Sequence, residues 1–583
     1  MAVENLITEH IDIWTSAVKS KSTSGRGSSK KLELYGVKKL RELILELAVR
    51  GKLVPQDPND EPASVLLERI AAEKAQLVKE KKIKKQKALP EVTEQEAPFN
   101  VPKDWEWTRL GNLSSDIHYG YTASAKPNSE GVRLLRITDI QNDKVNWGTV
   151  PACDITEEKA KSYLLENDDI LIARTGGTIG KSYLVENIDL QAVFASYLIR
   201  VKRVQAVYAP FTKVFLGSQL YWKQLIENSA GTGQPNVNAT ALKQLLFIVP
   251  PFNQQKRIVA KVDELMALCD QLEQQTEASI EAHQVLVTTL LDTLTNSADA
   301  DELMQNWARI NEHFDTLFTT EESIDQLKQT ILQLAVMGKL VSQDPSDEPA
   351  AELLKRIAED KAQLVKDKKI KKQKALPPIA EDEKPFELPN GWEWCSLSSL
   401  GHFFGGKTPS KSNSSFWGGD VLWVTPKDMK RTHIDDSEDK ITQAGVDSGL
   451  ALVEVNSLMC VTRSGILRRH FPVALAKKQC TVNQDLKVLS FYDKSVADYV
   501  LLMMQGFEQH ILDKLTKTGT TVESLKFDEF SVYPFMLPPL KEQRRIVSKV
   551  EDLMIMCEEL KARLKYSQIT QQQLIDAIAG QAV

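Results

Sequence analysis

No run of apolar residues in this chain approaches the roughly 20 needed to cross a bilayer. Its first residues, MAVENLITEHIDIW, lack the basic-then-apolar pattern of a secretory signal, so a cytoplasmic location is expected. Cysteine is scarce. Six are scattered at positions 153, 269, 395, 460, 480 and 557, with no C-x-x-C and no histidine at ligand spacing. That argues against a disulfide framework or a zinc site and for a reducing compartment. Positive charge is not in excess either: the net charge is −6, so any contact with nucleic acid needs a local basic surface. No G-x-G-x-x-G follows a strand-like run, and no Ser/His/Asp or metal-ligand set recurs. Catalysis by the chain itself is not expected.

What the sequence does have is a long internal duplication, the first thing to look for in a chain too long for a single core. Residues 40–90 read LRELILELAVRGKLVPQDPNDEPASVLLERIAAEKAQLVKEKKIKKQKALP. They match residues 327–377 at 38 of 51 positions, at an offset of 287. A second block, VPPFNQQKRIVAKVDELMALCDQL (249–272), returns as LPPLKEQRRIVSKVEDLMIMCEEL (537–560) at an offset of 288. Between them lie two segments of roughly 140 residues, 108–248 and 395–536, that hardly match. If the last repeated block joined the first in space, the chain would form two equivalent halves, a circle cut open once.

The repeated blocks read as helices. Ile258, Val262, Leu265, Cys269 and Leu272 step by four and three, with Leu286 and Leu290 in the same register. Ile546, Val550, Leu553, Cys557, Leu560, Leu564, Leu574 and Ile578 repeat the stripe, which must bury against another helix. Candidate partners are Val37, Leu40, Ile44, Leu47 and Ala48 in one copy and Ile324, Leu327, Ile331, Leu334 and Ala335 in the other. A Gly/Pro-rich break follows each, and then a second helix is expected over about 63–87 and 350–374. The basic runs KEKKIKKQK and KDKKIKKQK end those helices, either as solvated charge at a favourable helix terminus or as phosphate contacts.

The variable segments mix short β-rich runs, such as VRLLRITDI (132–140) and SLMCVTRSGILRRHFPVAL (457–475), with turns. Their loops RTGGTIGK (174–181) and GTGQPNVNAT (231–240) have counterparts in RSGILRRH (463–470) and KTGTTVESL (517–525). Arg and Lys suit phosphates and guanine, and Asn and Gln suit adenine. The stretch GHFFGGKTPS (401–410) fits the phosphate-loop pattern G-x-x-x-x-G-K-[ST]. The first copy has Gly120-Tyr121-Thr122 where this one has Gly406-Lys407-Thr408, and Ser114 where it has Gly401. Pro409 disfavours the helical entry a phosphate loop requires, so a DNA-facing loop or a plain turn is expected. VPPF (249–252) resembles the motif with which amino-methyltransferases hold adenine, but Val249 offers no polar group and LPPL (537–540) departs further.

Taken together and in duplicate, these motifs resemble the DNA specificity subunits of type I restriction–modification enzymes. They are WEW at 105–107 and 392–394, GGKTPS with WVTPKD, LLRITDI with DILIARTGGTIGK, and the exits PPFNQQKRIV and PPLKEQRRIV. The resemblance implies an α+β chain with two α/β target-recognition domains, 97–250 and 383–538, each reading half of a split, asymmetric sequence. They would be separated by antiparallel coiled-coil helices in a pseudo-two-fold circular arrangement. The helical regions would be 37–96, 251–382 and 539–583, after an N-terminal extension, 1–36, that includes the Gly/Ser-rich KSTSGRGSSKK.

Implied partners are double-stranded DNA, two adenine-methyltransferase subunits and motor–nuclease subunits, with no membrane. S-adenosylmethionine, ATP and Mg²⁺ would sit on those partners and no cofactor on this chain. Candidate DNA contacts in the first domain are Tyr119, Tyr121, Thr122, Lys126, Arg136, Arg174, Thr175, Lys181, Gln234, Asn236 and Asn238. In the second they are Lys407, Thr408, Ser410, Lys411, Lys427, Arg463, Arg468, Arg469, Lys517, Thr518 and Thr520. Ile258, Val262, Leu265, Leu272, Ile546, Val550, Leu553 and Leu560 would line the helical seams. The alternatives are a nucleotide-using enzyme built on the GKT triplet and a coiled-coil scaffold with no nucleic-acid role.

Overall fold

The computed structural model describes residues 7, 9–21, 31–127, 130–229, 237–371, 379–380, 384, 387–519 and 522–583. The chain forms two compact units, 1–279 with 567–583, and 280–566. These units cut across the boundaries read from sequence, because each long helix is shared: its first part belongs to one unit and its end to the other. Six helices build the repeated frame: α1 (Tyr35–Val49), α2 (Ala63–Lys79), α3 (Phe252–Thr295), α4 (Glu321–Val336), α5 (Ala350–Lys366) and α6 (Leu540–Ala582).

In the first unit the stripe on α1 is buried throughout, from Val37 to Ala48. Arg41 reaches across to α3, bonding Asp270 at 2.7 Å and Glu273 at 2.6 Å, and Arg257 pairs with Asp60. From Arg41 on α1 to Asp60 in the loop that follows it, the partners on α3 fall from 270 and 273 to 257, so this stretch of chain runs antiparallel to α3. The end of α6 also reaches α1: Tyr35 donates to Asp576 at 2.8 Å, and the Lys52 ammonium donates to the Val583 carbonyl at 2.7 Å. The second unit repeats this set of contacts with its own residues. Lys328 pairs with Glu558, Arg545 with Asp347 at 2.7 Å, and Lys339 caps the end of α3 through the Thr295 carbonyl at 2.9 Å. Lys328 stands 287 residues after Arg41, and Glu558 stands 288 after Asp270. Two positions reverse their charge: Lys38 and Glu273, which pair with Glu33 and Arg41 in the first copy, are replaced by Asp325 and Lys561, which bond each other.

Helix ends follow from local chemistry. Gly51 and Gly338 both take φ +70, and Lys52 and Lys339 donate back five residues to Leu47 and Leu334. That is the left-handed close that only glycine adopts cheaply. The same close recurs without glycine at Lys81 (φ 58) and Lys368 (φ 57), where Lys82 and Lys369 donate to Leu77 and Leu364. So α2 and α5 end at Lys79 and Lys366, not at 87 and 374, and most of each basic run lies beyond its helix.

The seams need a second correction. Ile258, Val262, Leu265 and Cys269 are buried, as are Ile546, Val550 and Cys557, while Leu272, Leu553 and Leu560 are half-buried. Further along, Leu286 is 50% exposed and Leu574 is 44% exposed, whereas Val287, Leu291 and Ile575 are buried. The stripe has slipped by one residue in both copies. A straight α-helix drifts by about 20° per heptad, so after four heptads the buried position moves by about 80°, close to one residue.

The two variable segments, so unlike in sequence, each build a sheet of the same strand order. The first has β1 (Ser114–Tyr119), β2 (Ile170–Ala173), β3 (Ser182–Leu184) and β4 (Leu198–Arg203), in the order β1-β4-β2-β3. The second has β5 (Gly401–Gly405), β6 (Leu458–Val461), β7 (Val473–Ala476) and β8 (Leu486–Phe491), in the order β5-β8-β6-β7 with His433–Ile434 added at the edge. All the neighbours within each four-strand set are antiparallel. The entry and exit of each domain are zipped together: Glu106–Arg109 pairs with Leu246–Val249, and Glu393–Cys395 pairs with Phe535–Leu537.

Candidate nucleic-acid interface

In each recognition domain the sheet brings three loops to one end. β1 runs into Gly120, whose backbone lies on the Phe194 and Ala195 carbonyls; a Cβ there would come within 2.3 Å of both. Gly406 lies in the same way on Val482 and Asn483. Tyr121 and Lys407 then donate their backbone N–H to Phe194 and Val482. The glycine of the shared G-x-T element is there for close backbone approach. This settles the GKT triplet. The Lys407 amide is already bonded, residues 406–413 are irregular, and only the three-residue 3-10 turn Ser414–Phe416 follows, with no α-helix there to present amides to a phosphate.

The second loop leaves β2. Arg174 N–H donates to the Tyr197 carbonyl at 3.0 Å, and the Arg174 carbonyl accepts from Val237 at 3.0 Å. In the second domain Thr462 bonds Asp485 and Leu525 in the same way. Arg174 therefore corresponds to Thr462, and Arg463 is the next residue along. The Arg174 guanidinium stacks 4.7 Å over the Tyr119 ring, and the Tyr119 hydroxyl accepts from the Ala239 amide at 3.2 Å. Tyr119, Arg174 and the segment after residue 236 thus form one cluster, joined by Tyr197, which is 37% exposed.

The remaining candidates divide by what already occupies them. Asn238 uses its side-chain oxygen to cap the helix Ala239–Gln244, accepting from Ala241 at 2.8 Å. Arg136 is held bidentate on Asp139, at 2.9 and 2.7 Å, and Lys126 pairs with Asp154 at 2.6 Å. Tyr121 packs its ring on Tyr163, while Thr122, Thr175 and Lys181 are exposed. Gln234, Asn236 and Thr520 lie outside the described residues, as does most of KSTSGRGSSKK.

In the second domain Arg463 bridges to Ser524, so the loop after β6 meets the hairpin that carries Lys517 and Thr518. Arg468 bonds the buried carboxylate of Glu523, whose pKa falls below the usual range through that bond. Thr408 bonds Gln484, and Ser410 and Lys407 accept from the Trp417 and Trp423 indoles. Lys411, Lys427 and Arg469 are exposed, with Lys427 4.0 Å from Glu438. Sequence reasoning missed Tyr197 and Gln484. No motif marks them; Tyr197 meets Arg174 and Gln484 meets Thr408 only because they stand just before β4 and β8.

The comparisons with known proteins accord with this arrangement. Residues 102–282 and 389–571 each match the family described as "Type I restriction modification DNA specificity domain". The chain is 40% identical to the type I restriction enzyme EcoAI specificity subunit of Escherichia coli over the whole of both chains. It is likewise 40% identical to the EcoEI specificity subunit of the same species, also over both full lengths. The HindI specificity subunit of Haemophilus influenzae aligns over 77% of this chain and 94% of its own at 24% identity. The chain belongs to the type I restriction–modification specificity-subunit family, the DNA-recognition component of those enzymes. Among the described residues no helix is long and apolar enough to cross a membrane.

Proposed function

We propose that the chain reads a bipartite, non-palindromic DNA sequence, one part with each recognition domain, and confers that choice on partner enzymes without catalysing the reaction. One observation carries this. The domains share a strand order and equivalent backbone contacts, yet set unlike side chains at equivalent loop positions: Tyr121 against Lys407, Arg174 against Thr462, Asn238 against Lys526. A common frame with unlike loops is what two different half-sites require. In this reading two adenine-methyltransferase subunits dock on the chain and motor–nuclease subunits join through them, all in the cytoplasm. S-adenosylmethionine, ATP and Mg²⁺ belong to those partners. A base must leave the stack to be methylated, so the partner acts on the site this chain selects.

Methylome sequencing of cells carrying the chain with its modification partner tests the reading. The expected result is adenine methylation at one split sequence whose two parts differ. A palindromic motif, or no new methylation with a partner that forms a stable complex, would overturn it.

A further inference from the structure

In the first unit a groove of about 1540 Å³ separates the segment 82–90 from the outer edge of the recognition sheet. Its lining carries Lys82, Lys84, Lys85, Lys87, Lys161 and Lys243. The floor is neutral by pairing: Arg200 bonds Asp169, Arg203 bonds Asp168 and Lys202 bonds Glu166. The rim is not. No ion pair joins Lys84, Lys85, Lys87, Lys161 or Lys243 to an acidic side chain among the described residues. Glu73 accepts from the Gln205 and Ala206 amides, at 2.8 and 3.1 Å. Asp116 lies 2.9 Å from the His118 ring, whose bond lowers its pKa, with Lys243 near enough to lower it further but not paired with it.

A charge run left over from a helix would normally point into water, but this one is tied down. The left-handed Lys81 turns the chain back at the end of α2. Gln86 then donates to the Ser115 carbonyl on β1 at 2.9 Å, and Arg109 donates to the Pro90 carbonyl at 2.8 Å. Leu89 lies against Gly111, where a Cβ would meet its methyl at 2.7 Å. Lys84, Lys85 and Lys87 are therefore presented along one wall. The pKa of nearby Lys74 is pushed down to about 8, first by burial and then by the Lys243 charge beside it. Tyr119 and Gly120 of the loop cluster also line the groove, which makes it continuous with the proposed reading end.

We infer that residues 82–87 and the facing edge of the first recognition sheet form a cradle for the sugar–phosphate backbone of duplex DNA, separate from the loops that read bases. The inference rests on the DNA-reading role proposed above. Lysines here act as point charges on phosphates, giving grip and register without sequence information.

The test uses the full chain assembled with its modification partner, and two labelled duplexes, one bearing the methylated sequence and one scrambled. In the variant Lys84→Gln/Lys85→Gln/Lys87→Gln, the log–log slope of affinity against salt should fall by about 0.9 per lysine, on both duplexes alike. For three contacts, the loss of affinity between about 50 and 200 mM salt becomes about 40-fold smaller. The corresponding Lys→Arg variant should restore the slope, since it keeps the charge. An unchanged slope and affinity in the Gln variant, with wild type still preferring its sequence, would overturn the cradle and leave the reading role standing. So would a variant that loses only its preference at unchanged slope. A wild-type complex that prefers neither duplex would instead overturn the reading role beneath it.

Discussion

Arg174 and Arg468 are both loop arginines in Gly-containing turns, yet their surroundings assign them different work. Arg174 stacks on the Tyr119 ring in the loop cluster. Arg174→Ala should cost binding and little stability: about 1–3 kcal/mol of DNA affinity, with relaxed choice in one half-site only. Competition binding against half-site variants in turn would show it, and equal weakening on every duplex would make Arg174 a phosphate contact. Arg468 bonds one oxygen of the buried Glu523 carboxylate, and the other oxygen has no hydrogen-bond partner among the described residues. Arg468→Ala should lower the melting temperature at neutral pH. Glu523 has a depressed folded pKa, so the stability it lends is present above the usual glutamate value of about 4.3 and is lost as pH falls through the folded value. The gap between wild type and Arg468→Ala should therefore close on acidification; a gap that widens below about pH 4 would contradict the pairing.

At the scale of elements the slipped seam gives a sharp contrast. Leu574 continues the heptad read from sequence but is 44% exposed, while its neighbour Ile575 is fully buried. Ile575→Ala should cost about 2–5 kcal/mol and Leu574→Ala no more than about 0.5, by urea or thermal unfolding of the full chain. Equal costs would restore the unslipped register. The same contrast shows what was legible. Short stripes could be read off directly: every position named on α1 and α4 is buried, because stripes as short as 37–48 and 324–335 leave little room for drift. Gly51 and Gly338 announced the ends of those helices. The ends of α2 and α5 did not show, since lysine takes the left-handed close there only because the chain must turn back. At the interface, composition picked out the loops, and the duplication gave their correspondence to within a residue. It could not say that Asn238 is a helix cap, that Arg136 is held by Asp139, or that Tyr197 joins the cluster. Those facts come from strand pairing and from side chains local to each turn.

At the scale of the whole chain, the duplication makes the position of the termini a matter of choice. In the second unit the end of α3 passes to α4 through a connection that contains the helix Ala300–Glu312, with Asn306 donating to the Ser297 hydroxyl at 3.1 Å. In the first unit the equivalent place, between the end of α6 and α1, is where the chain is open. It is filled by the N-terminal extension, whose Trp14 is fully buried and whose Val18 carbonyl accepts from Gln572 at 3.2 Å. Gly36 lies so close beneath it that a Cβ would meet the Trp14 carbonyl at 2.1 Å. The extension therefore does for one half what a covalent link does for the other. Joining residue 583 to residue 1 and reopening the chain near Ala97 should leave the contacts among α1, α3 and the end of α6 in place. The permutant should fold, assemble with its partner and direct methylation to the same sequence, read by methylome sequencing beside wild type. Near Glu383 a second opening tests the other half in the same way, at a site outside the described residues. A soluble, folded permutant that has lost its sequence choice would mean that the open ends themselves take part in recognition, and that the two halves are not equivalent members of a closed frame.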